Sequence, residues 1–378
     1  MFETIVRFIR EEYGEGPVPL HAPIFQGREK AYLNECIDST FVSSVGPFVT
    51  AFEKQLANYV GSRHAVAVVN GTQGLFLALR LAGAEPGTEV LTQSLTFIAT
   101  ANAISYTGAV PVFLDVEEET LGLSPRALET FLVENAVSRD GRPCNRLTGR
   151  PIAACVPMHT CGHPCRIAEI VKICDSYGIP VVEDAAESLG SRSGGRHTGT
   201  FGRLGVFSFN GNKIVTTGGG GMIVTDDEEL ARKAKHLTTT AKLPHRWEFV
   251  HDEIGFNFRL PNLNAAIGVA QMEQLPKMLA HKRSLAQRYR QFFGSLPLRF
   301  VVEPADTESN YWLCTVLFRN AEERDAFLAH SNDREIATRP LWRPMHRLPM
   351  YAAAPAGPLP CTEDLYARAV NLPSGVRP

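Results

Sequence analysis

Short apolar runs alternate with amphipathic segments from about residue 47 to about residue 225. Apolar residues recur every three or four positions in the amphipathic segments, which predicts helices, whereas the short β-branched runs predict strands. The predicted strands cover residues 64–69, 89–92, 110–114, 151–158, 179–183, 206–209 and 221–225. The predicted helices cover residues 47–61, 72–82, 97–107, a stretch after 124–125, and residues 166–177. This alternation is typical of a mainly parallel sheet with helices on both faces.

The regions on either side of this alternation have a different pattern. Near the N-terminus, apolar residues 2, 5, 6 and 9 share one face of a predicted helix, which we expect to pack on the body of the protein or on a partner subunit. After about residue 260, a long helix over residues 262–293 leads into mixed strand and helix. We therefore predict an α/β fold with an N-terminal helix and lead-in (1–25), a large α/β domain (26–258) and a smaller C-terminal α+β domain (259–378).

Composition and charge narrow the class of protein. The chain has 378 residues, of which 44% are hydrophobic and 21% charged, as in ordinary globular enzymes. Its net charge of -2 arises from 38 basic and 40 acidic residues that are well mixed, so neither nucleic acid nor an anionic membrane is an expected partner. The N-terminal segment lacks a basic stretch followed by an apolar run, so we expect it not to be a secretory signal, and no apolar run approaches the ~20 residues that a membrane span needs. With eight scattered cysteines, which favour reduced thiols, we predict a cytoplasmic protein.

Several predicted strands end in a small or polar residue. These residues are Asn70, Ser94, Asp115, His159, Asp184 and Ser208. Ligands of open α/β sheets bind outside the carboxyl ends of the strands. We therefore expect these six residues to share one crevice.

Two residues at the predicted crevice suit covalent and acid–base chemistry. Lys213 follows the strand VFSF, and an amine there can become nucleophilic through desolvation. Asp184 ends the run IPVVE and offers a carboxylate for a charge-assisted hydrogen bond to a protonated ring nitrogen. The alternatives are a solvated surface lysine and an aspartate that caps a helix.

Other strand ends suit a phosphate and a flat ring. Gly71 and Thr72 lie between a strand and a helix, where backbone N–H groups and a hydroxyl bind anions, and Ser208 can add a second hydroxyl. Phe97 can stack on a ring. A simple helix cap and a core aromatic are the alternatives. Together with the amine and the carboxylate, these groups meet the requirements of a pyridoxal phosphate site.

Two motifs resemble sites of other classes. The segment from His159 to Cys165 contains two His and two Cys, but its spacings do not match a zinc knuckle and no second pair follows, so we predict no metal. The tetraglycine 218–221 is not followed by Gly-Lys-Ser/Thr, which argues against a P-loop and favours a flexible turn before the next strand.

Five ordered segments resemble the DegT/DnrJ/StrS sugar aminotransferases, and the resemblance runs from about residue 19 to about residue 374. They are NGTQGLFLAL, SLTFIATANAISYTGAVPVFLDV, VVEDAAESLGS, FSFNGNKIVTTGGGGMIVTD and GFNFRLPNLNAAIGVAQMEQL. The resemblance implies an aspartate-aminotransferase-like fold of type I, pyridoxal 5'-phosphate as cofactor and a transaminase reaction. It also implies an amino-acid donor, glutamate, and a nucleotide-linked keto-sugar as acceptor.

Two further segments are similar to the LegC-type branch of that family. They are VPLHAPIFQGREKAYLNECIDSTFVSSVGPFVTAFE and HLTTTAKLPHRWEFVHDEIGFNF. This similarity implies amination at C4 of a UDP-linked 4-keto-6-deoxy-N-acetylhexosamine in surface-polysaccharide or glycan biosynthesis.

The resemblance also implies roles for individual residues. Lys213 matches the Schiff-base lysine and Asp184 the partner of the pyridine nitrogen. The phosphate and stacking positions match Gly71, Thr72, Ser208 and Phe97. Asn257 matches a residue that crosses a homodimer interface to the partner's phosphate, which implies composite active sites. The positions of sugar or nucleotide contacts match Ser43, Ser44, Arg259 and His346.

Glu187 departs from the family pattern, because many members have Gln or His at this cofactor-binding position near the 3-oxygen. An ionised carboxylate beside a phenolate is repelled, so we expect Glu187 to be protonated or turned away. A regulatory or scaffold protein of the same fold without turnover is an alternative function. A sugar dehydratase is a second alternative, although those relatives carry His in place of the lysine that stands here at Lys213.

Overall fold

The computed structural model describes residues 1–377, and Pro378, the last residue of the predicted C-terminal domain, lies outside the described residues. The α-helices are α1 (Phe2–Tyr13), α2 (Glu29–Asp38), α3 (Pro47–Val60), α4 (Gly71–Leu81), α5 (Ile98–Tyr106), α6 (Pro125–Asn135), α7 (Ile167–Ser176), α8 (Glu228–Thr238), α9 (Asn262–Phe293), α10 (Ala321–Asn332) and α11 (Pro360–Arg368). The strands are β1 (His64–Val68), β2 (Glu89–Gln93), β3 (Val110–Leu114), β4 (Ala136–Arg139), β5 (Arg142–Asn145), β6 (Ile152–Val156), β7 (Val182–Asp184), β8 (Arg192–Ser193), β9 (Arg196–His197), β10 (Leu204–Ser208), β11 (Gly221–Thr225), β12 (Arg299–Phe300), β13 (Thr307–Glu308), β14 (Cys314–Leu317), β15 (Arg339–Pro340) and β16 (Ala369–Leu372).

The central sheet has the strand order β1-β11-β10-β7-β6-β2-β3. Regular ladders join the first four strands and the last three. Parallel bridges from Cys155 to Val181 and from Met158 to Asp184 connect the two groups. Only β11 runs against its neighbours, and the other pairings in this sheet are parallel. The prediction of a mainly parallel sheet is therefore confirmed.

Helices cover both faces of this sheet, because successive strand residues enter different apolar clusters. On β1, Val66 and Val68 pack with α4, α5 and α8, whereas Ala67 packs with α3 and α9. Helices α6 and α7 pack against β2, β3 and β6. This arrangement leaves the strand ends as the accessible edge of the sheet.

Local sequence signals explain where the helices beside that edge begin and end. Pro47 occupies the first turn of α3, where its missing N–H has no cost, and Gly61 ends the helix in the left-handed region at φ 80°. Asn70 caps α4, since its side-chain oxygen accepts a hydrogen bond from the Gln73 N–H at 2.8 Å. Residues 64–72 therefore form a strand, a cap and a helix start with no intervening loop.

The C-terminal part of the chain forms an antiparallel sheet in the order β12-β14-β16-β15. Helix α1 buries Ile5, Val6 and Ile9 in the cluster of this region, so the prediction that it packs on the body of the protein is confirmed. The first half of α9 packs with α3, and its second half packs with the C-terminal sheet. A domain boundary at residue 259 stays a prediction, because α9 contributes to both cores.

Within residues 1–377, no helix combines the length and the apolar character that crossing a membrane requires.

Candidate active site

A crevice of about 810 Å³ opens at the carboxyl ends of β1, β7 and β10. Its walls include seven of the eight predicted cofactor residues, which are Glu187 and six others. The six are Gly71, Thr72, Phe97, Asp184, Ser208 and Lys213. Its volume is within the range of small-molecule sites, roughly 300–1,000 Å³. The sheet therefore collects residues from distant parts of the sequence into one site.

The start of α4 forms an anion cradle on one side of the crevice. Gly71 and Thr72 are the first residues of this helix, where backbone N–H groups have no partner within the helix. A Cβ atom on Gly71 would lie 2.9 Å from the Ser208 Cβ and 3.2 Å from its hydroxyl oxygen. Gly221 has a similar role, since a Cβ there would lie 2.6 Å from the Asn70 carbonyl carbon. Glycine thus lets the helix start approach β10 and β11 closely.

Replacing Gly71 with alanine should weaken cofactor binding. The added methyl group overlaps Ser208, and relief of such overlap costs about 1–3 kcal/mol. We expect the dissociation constant for pyridoxal phosphate to rise about tenfold or more, as measured by absorbance titration of the apoprotein. Gly357→Ala is the control, because its Cβ would make an ordinary 3.7 Å contact with Leu114. Equal affinity of the Gly71 variant and the wild type would contradict this account of the cradle.

Lys213 reaches the crevice from the turn that follows β10. Its backbone N–H donates to the Asn210 carbonyl at 3.0 Å, and its Nζ lies 3.8 Å from the centre of the Trp312 ring. The Trp312 indole N–H donates to the Asn212 carbonyl at 2.8 Å, which fixes the ring against the turn. The lysine side chain is 11% exposed, so its amine is accessible to a ligand and still largely shielded from water.

Asp184 ends β7 and is buried in the crevice wall. Its carboxylate accepts hydrogen bonds from the Thr100 hydroxyl at 2.7 Å and from the Ala186 N–H at 3.1 Å. Burial raises the pKa of this carboxyl, whereas these two donors and the nearby Lys213 lower it. The hydrogen bonds hold the carboxylate in place and leave it at the crevice, where it can face a cationic ring nitrogen.

Glu187 lies beside Lys213, and it does not turn away from the crevice. Its Oε1 is 3.0 Å from the Lys213 Nζ, and its Oε2 accepts a hydrogen bond from the Cys161 N–H at 2.9 Å. Burial raises the pKa of this carboxyl to about 7, against the lowering effects of Lys213 and of the Cys161 N–H. Of the two expectations for Glu187, the structure favours a carboxyl that can be protonated.

An aromatic pair forms the outer wall. Phe97 precedes α5 and is 45% exposed, and its ring lies 6.0 Å from the Trp342 ring in an edge-to-face arrangement. The Phe97 ring is therefore free to cover a ligand ring. Arg339 and Arg343 also line the crevice and bring positive charge to it.

The prediction that all six strand-end residues share the crevice was wrong for three of them. Asp115 instead accepts hydrogen bonds from the N–H groups of Cys361 and Thr362 at the start of α11. The ring of His159 is buried away from the crevice, and its Nε2 lies 2.9 Å from Glu183 Oε2. Its Nδ1 accepts a hydrogen bond from the Cys165 N–H. Polar residues at strand ends satisfy buried donors elsewhere as readily as they bind ligands.

The third such residue is Ser94, which contacts a residue that the resemblance assigned to the substrate. The Ser94 hydroxyl lies 2.7 Å from Nδ1 of His346, and the His346 Nε2 lies 2.8 Å from Glu363. His346 is not part of the crevice wall. Its role in substrate binding stays a prediction.

Four other predicted residues also lie outside the crevice of their own chain. The exposed Ser43 uses its carbonyl to accept the Asn262 N–H at 2.7 Å, and the half-buried Ser44 follows it. The exposed Asn257 accepts a hydrogen bond from Arg259 Nε at 3.0 Å. The roles implied for these four residues stay predictions.

Trp312 and the residue that positions it were not predicted to be part of the site. Asn310 is buried and donates to the carbonyls of Glu187 and Leu189, while its side-chain oxygen accepts the Trp312 N–H at 2.7 Å. This asparagine therefore connects the segment of Glu187 to the ring beside Lys213. The motif SNYWLCT contains two aromatic residues after two polar ones, but nothing local indicates which crevice either ring faces.

Pyridoxal phosphate fits this set of groups. The cradle at Gly71 suits a phosphate, the carboxylate of Asp184 suits a pyridine nitrogen, and the amine of Lys213 suits an aldehyde. Phe97 supplies a ring at the open side. These four features come from different elements and face one volume.

Comparison with known proteins agrees with this chemistry. The model of the DegT/DnrJ/EryC1/StrS aminotransferase family matches residues 23–377. EpsN of Bacillus subtilis (strain 168), provisionally named a pyridoxal phosphate-dependent aminotransferase, is 42% identical over an alignment of 363 residues that covers 94% of this chain and 90% of EpsN. GDP-perosamine synthase of Escherichia coli O157:H7 is 40% identical over 357 residues, 94% of this chain and 93% of the synthase.

A solved structure gives the same result. The aminotransferase TlmJ from Streptoalloteichus hindustanus matches with a TM-score of 0.86 and 32% identity, over 95% of this chain and 94% of its own. The fold of type I that the resemblance implied is thus confirmed. Because sequence and structure agree over nearly the whole chain, the chain belongs to the DegT/DnrJ/EryC1/StrS aminotransferase family.

Proposed function

We propose that this chain is a pyridoxal phosphate-dependent aminotransferase that moves an amino group from glutamate to C4 of a nucleotide-linked 4-keto-6-deoxy sugar. The observation that carries the proposal is the convergence of Lys213, Asp184 and the cradle at Gly71 on one crevice. Each group matches one end or one substituent of the same small ring. Membership of an aminotransferase family supports the reaction type.

Each residue has a distinct task in this proposal. When bound, the cofactor supplies an electron-withdrawing ring that carries the amino group between the two substrates. The N–H groups at the start of α4 and the Thr72 and Ser208 hydroxyls hold the phosphate. Asp184 holds a proton at the ring nitrogen through a charge-assisted hydrogen bond. The Lys213 amine would take the α-carbon proton of the donor as general base and would then, as general acid, deliver it to the carbon of the cofactor that bears the transferred nitrogen.

The open side of the crevice suits a nucleotide-linked sugar. Arg339 and Arg343 can pair with a diphosphate, because guanidinium groups bind phosphate oxygens in a bidentate manner. Trp342 offers a flat surface beside them. The GDP-perosamine synthases among the relatives support a GDP-linked substrate, whereas the LegC-type segments support a UDP-linked N-acetylhexosamine.

A substrate panel tests this function. Purified protein loaded with pyridoxal phosphate is given glutamate and a set of UDP- and GDP-linked 4-keto-6-deoxy sugars, and amine formation is read by mass. We expect one nucleotide series to be aminated much faster than the other. Absence of amine from the whole panel, together with turnover of a keto acid that carries no nucleotide, would contradict the proposed substrate class.

A regulatory or scaffold protein of the same fold is the competing function. Such a protein would keep the visible absorbance of cofactor linked to Lys213 after glutamate is added. An active aminotransferase loses that absorbance, because the amino group passes to the cofactor. The carboxylate and amine that this change requires are both present in the crevice.

We also propose that the chain acts as a homodimer with composite sites. The segment from residue 243 to residue 254 exposes large apolar side chains, which are Leu243, Trp247, Phe249, Val250 and Ile254. Exposed apolar residues that cluster in this way mark interaction surfaces. Asn257 follows the segment directly, so a partner that covers the segment also contacts the position matched to the partner's phosphate.

Replacing Ile254, which is 88% exposed, with aspartate should weaken the dimer. A charge at an apolar contact is costly to bury, so the mass measured by light scattering should shift from two chains toward one. Leu147→Asp is the matched control, since Leu147 is 73% exposed and lies far along the chain from this segment. An unchanged mass for the Ile254 variant would contradict the proposed interface.

Mixing two variants, each of which we expect to be inactive alone, tests the composite site. A dimer of one Lys213→Ala chain and one Asn257→Ala chain has one site with both residues intact. Activity should therefore return on mixing and subunit exchange. If the mixture stays inactive although exchange is demonstrated, Asn257 does not act across the interface.

A further inference from the structure

The carboxyl of Glu187 and the amine of Lys213 form a buried ion pair at the centre of the crevice. The side chains are 1% and 11% exposed, respectively, and the Oε1–Nζ distance is 3.0 Å. The second oxygen of Glu187 accepts the Cys161 N–H, so the carboxyl is held toward the lysine. Such a pair is stable only while both partners keep their charges.

The groups that face Glu187 come from three elements. Lys213 approaches from the turn after β10, Asp184 from the end of β7, and Cys161 from the turn after β6. Lys213 lowers the pKa of Glu187, whereas the negative charge of Asp184 raises it. Among residues 1–377, Lys213 is the only cationic side chain within ion-pair distance of this carboxyl.

The proposed function removes the full positive charge from the Lys213 nitrogen when this nitrogen bonds to the cofactor. Glu187 would then be an ionised carboxylate, nearly free of contact with water, beside the carboxylate of Asp184. Leaving a buried charge without its partner is strongly unfavourable, and carboxyl groups respond by taking up a proton. We therefore expect Glu187 to be ionised and paired with Lys213 in the empty site, and neutral in the loaded site.

We propose, on the basis of the proposed function, that Glu187 accepts the proton that Lys213 gives up and keeps it while the cofactor is bound. In this step an N–H bond of the ammonium breaks, and its electron pair stays on nitrogen and makes the amine a nucleophile. The proton forms an O–H bond with Oε1, so an ammonium and a carboxylate become an amine and a carboxylic acid. The neutral acid then serves as a hydrogen-bond donor toward the cofactor, where an ionised carboxylate would repel a negative oxygen.

Proton linkage distinguishes this role from a structural one. Above a pH of about 7, Glu187 is a carboxylate in the empty wild-type site and a carboxylic acid in the loaded site, so the loaded site retains about one proton more than it would without Glu187. In Glu187→Gln this additional proton is absent. The affinity of wild type for pyridoxal phosphate should therefore fall, relative to the variant, by about tenfold for each unit of rising pH.

Titration of both apoproteins with pyridoxal phosphate over several pH values measures this difference. Glu229→Gln is the control and should follow the wild type, because its ion pair with Arg232 lies on the exposed face of α8. Two affinity curves that run parallel for wild type and Glu187→Gln would overturn the proposal, since a lost structural contact weakens binding equally at each pH.

A second measurement uses only the wild type and so does not depend on the folding of the variant. Infrared difference spectra of the loaded minus the empty protein, at a pH above about 7, should gain the carbonyl band of a protonated carboxylic acid. No gain of that band would overturn the proposal. Borohydride reduction of the same sample then shows which hypothesis is wrong. If Lys213 carries a reduced cofactor adduct but the band is missing, only the role of Glu187 is wrong. If Lys213 carries no adduct, the proposed function is wrong.

Discussion

Lys213→Ala is expected to reduce transamination by roughly 10³-fold or more, because it removes both the nucleophile and the general base. The cradle at the start of α4 and the Asp184 carboxylate remain, so the variant should still bind pyridoxal phosphate without a covalent link. Steady-state kinetics with glutamate and the preferred keto-sugar measure the loss, and dialysis measures the bound cofactor.

The control for this substitution is Lys235→Ala. Lys235 is also a lysine in an ion pair, with Glu53 at 2.6 Å, but its side chain is 47% exposed and it lies on α8. The control should keep the activity of the wild type. Comparable turnover of the Lys213 and Lys235 variants would remove Lys213 from the reaction.

Asp184→Asn is expected to have the second largest effect, a loss of turnover on the order of 10²-fold or more. An amide cannot stabilise a protonated ring nitrogen as a carboxylate does, so the ring withdraws electrons less strongly. The hydrogen bond from Thr100 can persist with the amide oxygen, so the fold should be retained. Activity and the thermal midpoint of unfolding should be measured on the same preparation.

Asp175→Asn is the control for Asp184, because Asp175 is an exposed aspartate on α7 outside the crevice. It should leave turnover unchanged. If Asp184→Asn keeps wild-type turnover at saturating cofactor, the carboxylate does not face the ring nitrogen.

Much of the fold and of the central site could be predicted from the sequence, because the signals are local. Residues 64–82 show the period of a strand and then of a helix, with the cap residue Asn70 between them. This local pattern alone predicts an anion cradle at the start of the helix. Asp184 ends a buried strand, and Lys213 lies in the turn that follows another. In a parallel sheet, residues at such positions converge on one edge.

The residues that could not be predicted depend on contacts between distant segments. Trp312 and Asn310 follow α9 in sequence, and only the packing of the C-terminal region brings them to Lys213 and Glu187. The three strand-end residues outside the crevice were instead predicted to line it and do not. Asp115, for example, has the local pattern of a ligand-binding residue, but the start of α11 packs against it and takes both of its oxygens.

Family membership and fold are confirmed, whereas the roles of individual residues stay predictions. Selection of the sugar and its nucleotide stays a proposal for the mouth of the crevice, where Arg339, Trp342 and Arg343 come from a segment with no regular period. Short segments of this kind carry specificity but few sequence signals.

The most direct measurement of the central claim is the site of the covalent adduct. Purified protein is incubated with pyridoxal phosphate, reduced with borohydride, digested and mapped by mass spectrometry. We predict one reduced pyridoxyl phosphate adduct, on the Lys213 side chain, that is absent from Lys213→Ala. An adduct on another lysine, or an unmodified Lys213 in protein that has bound the cofactor, would contradict it.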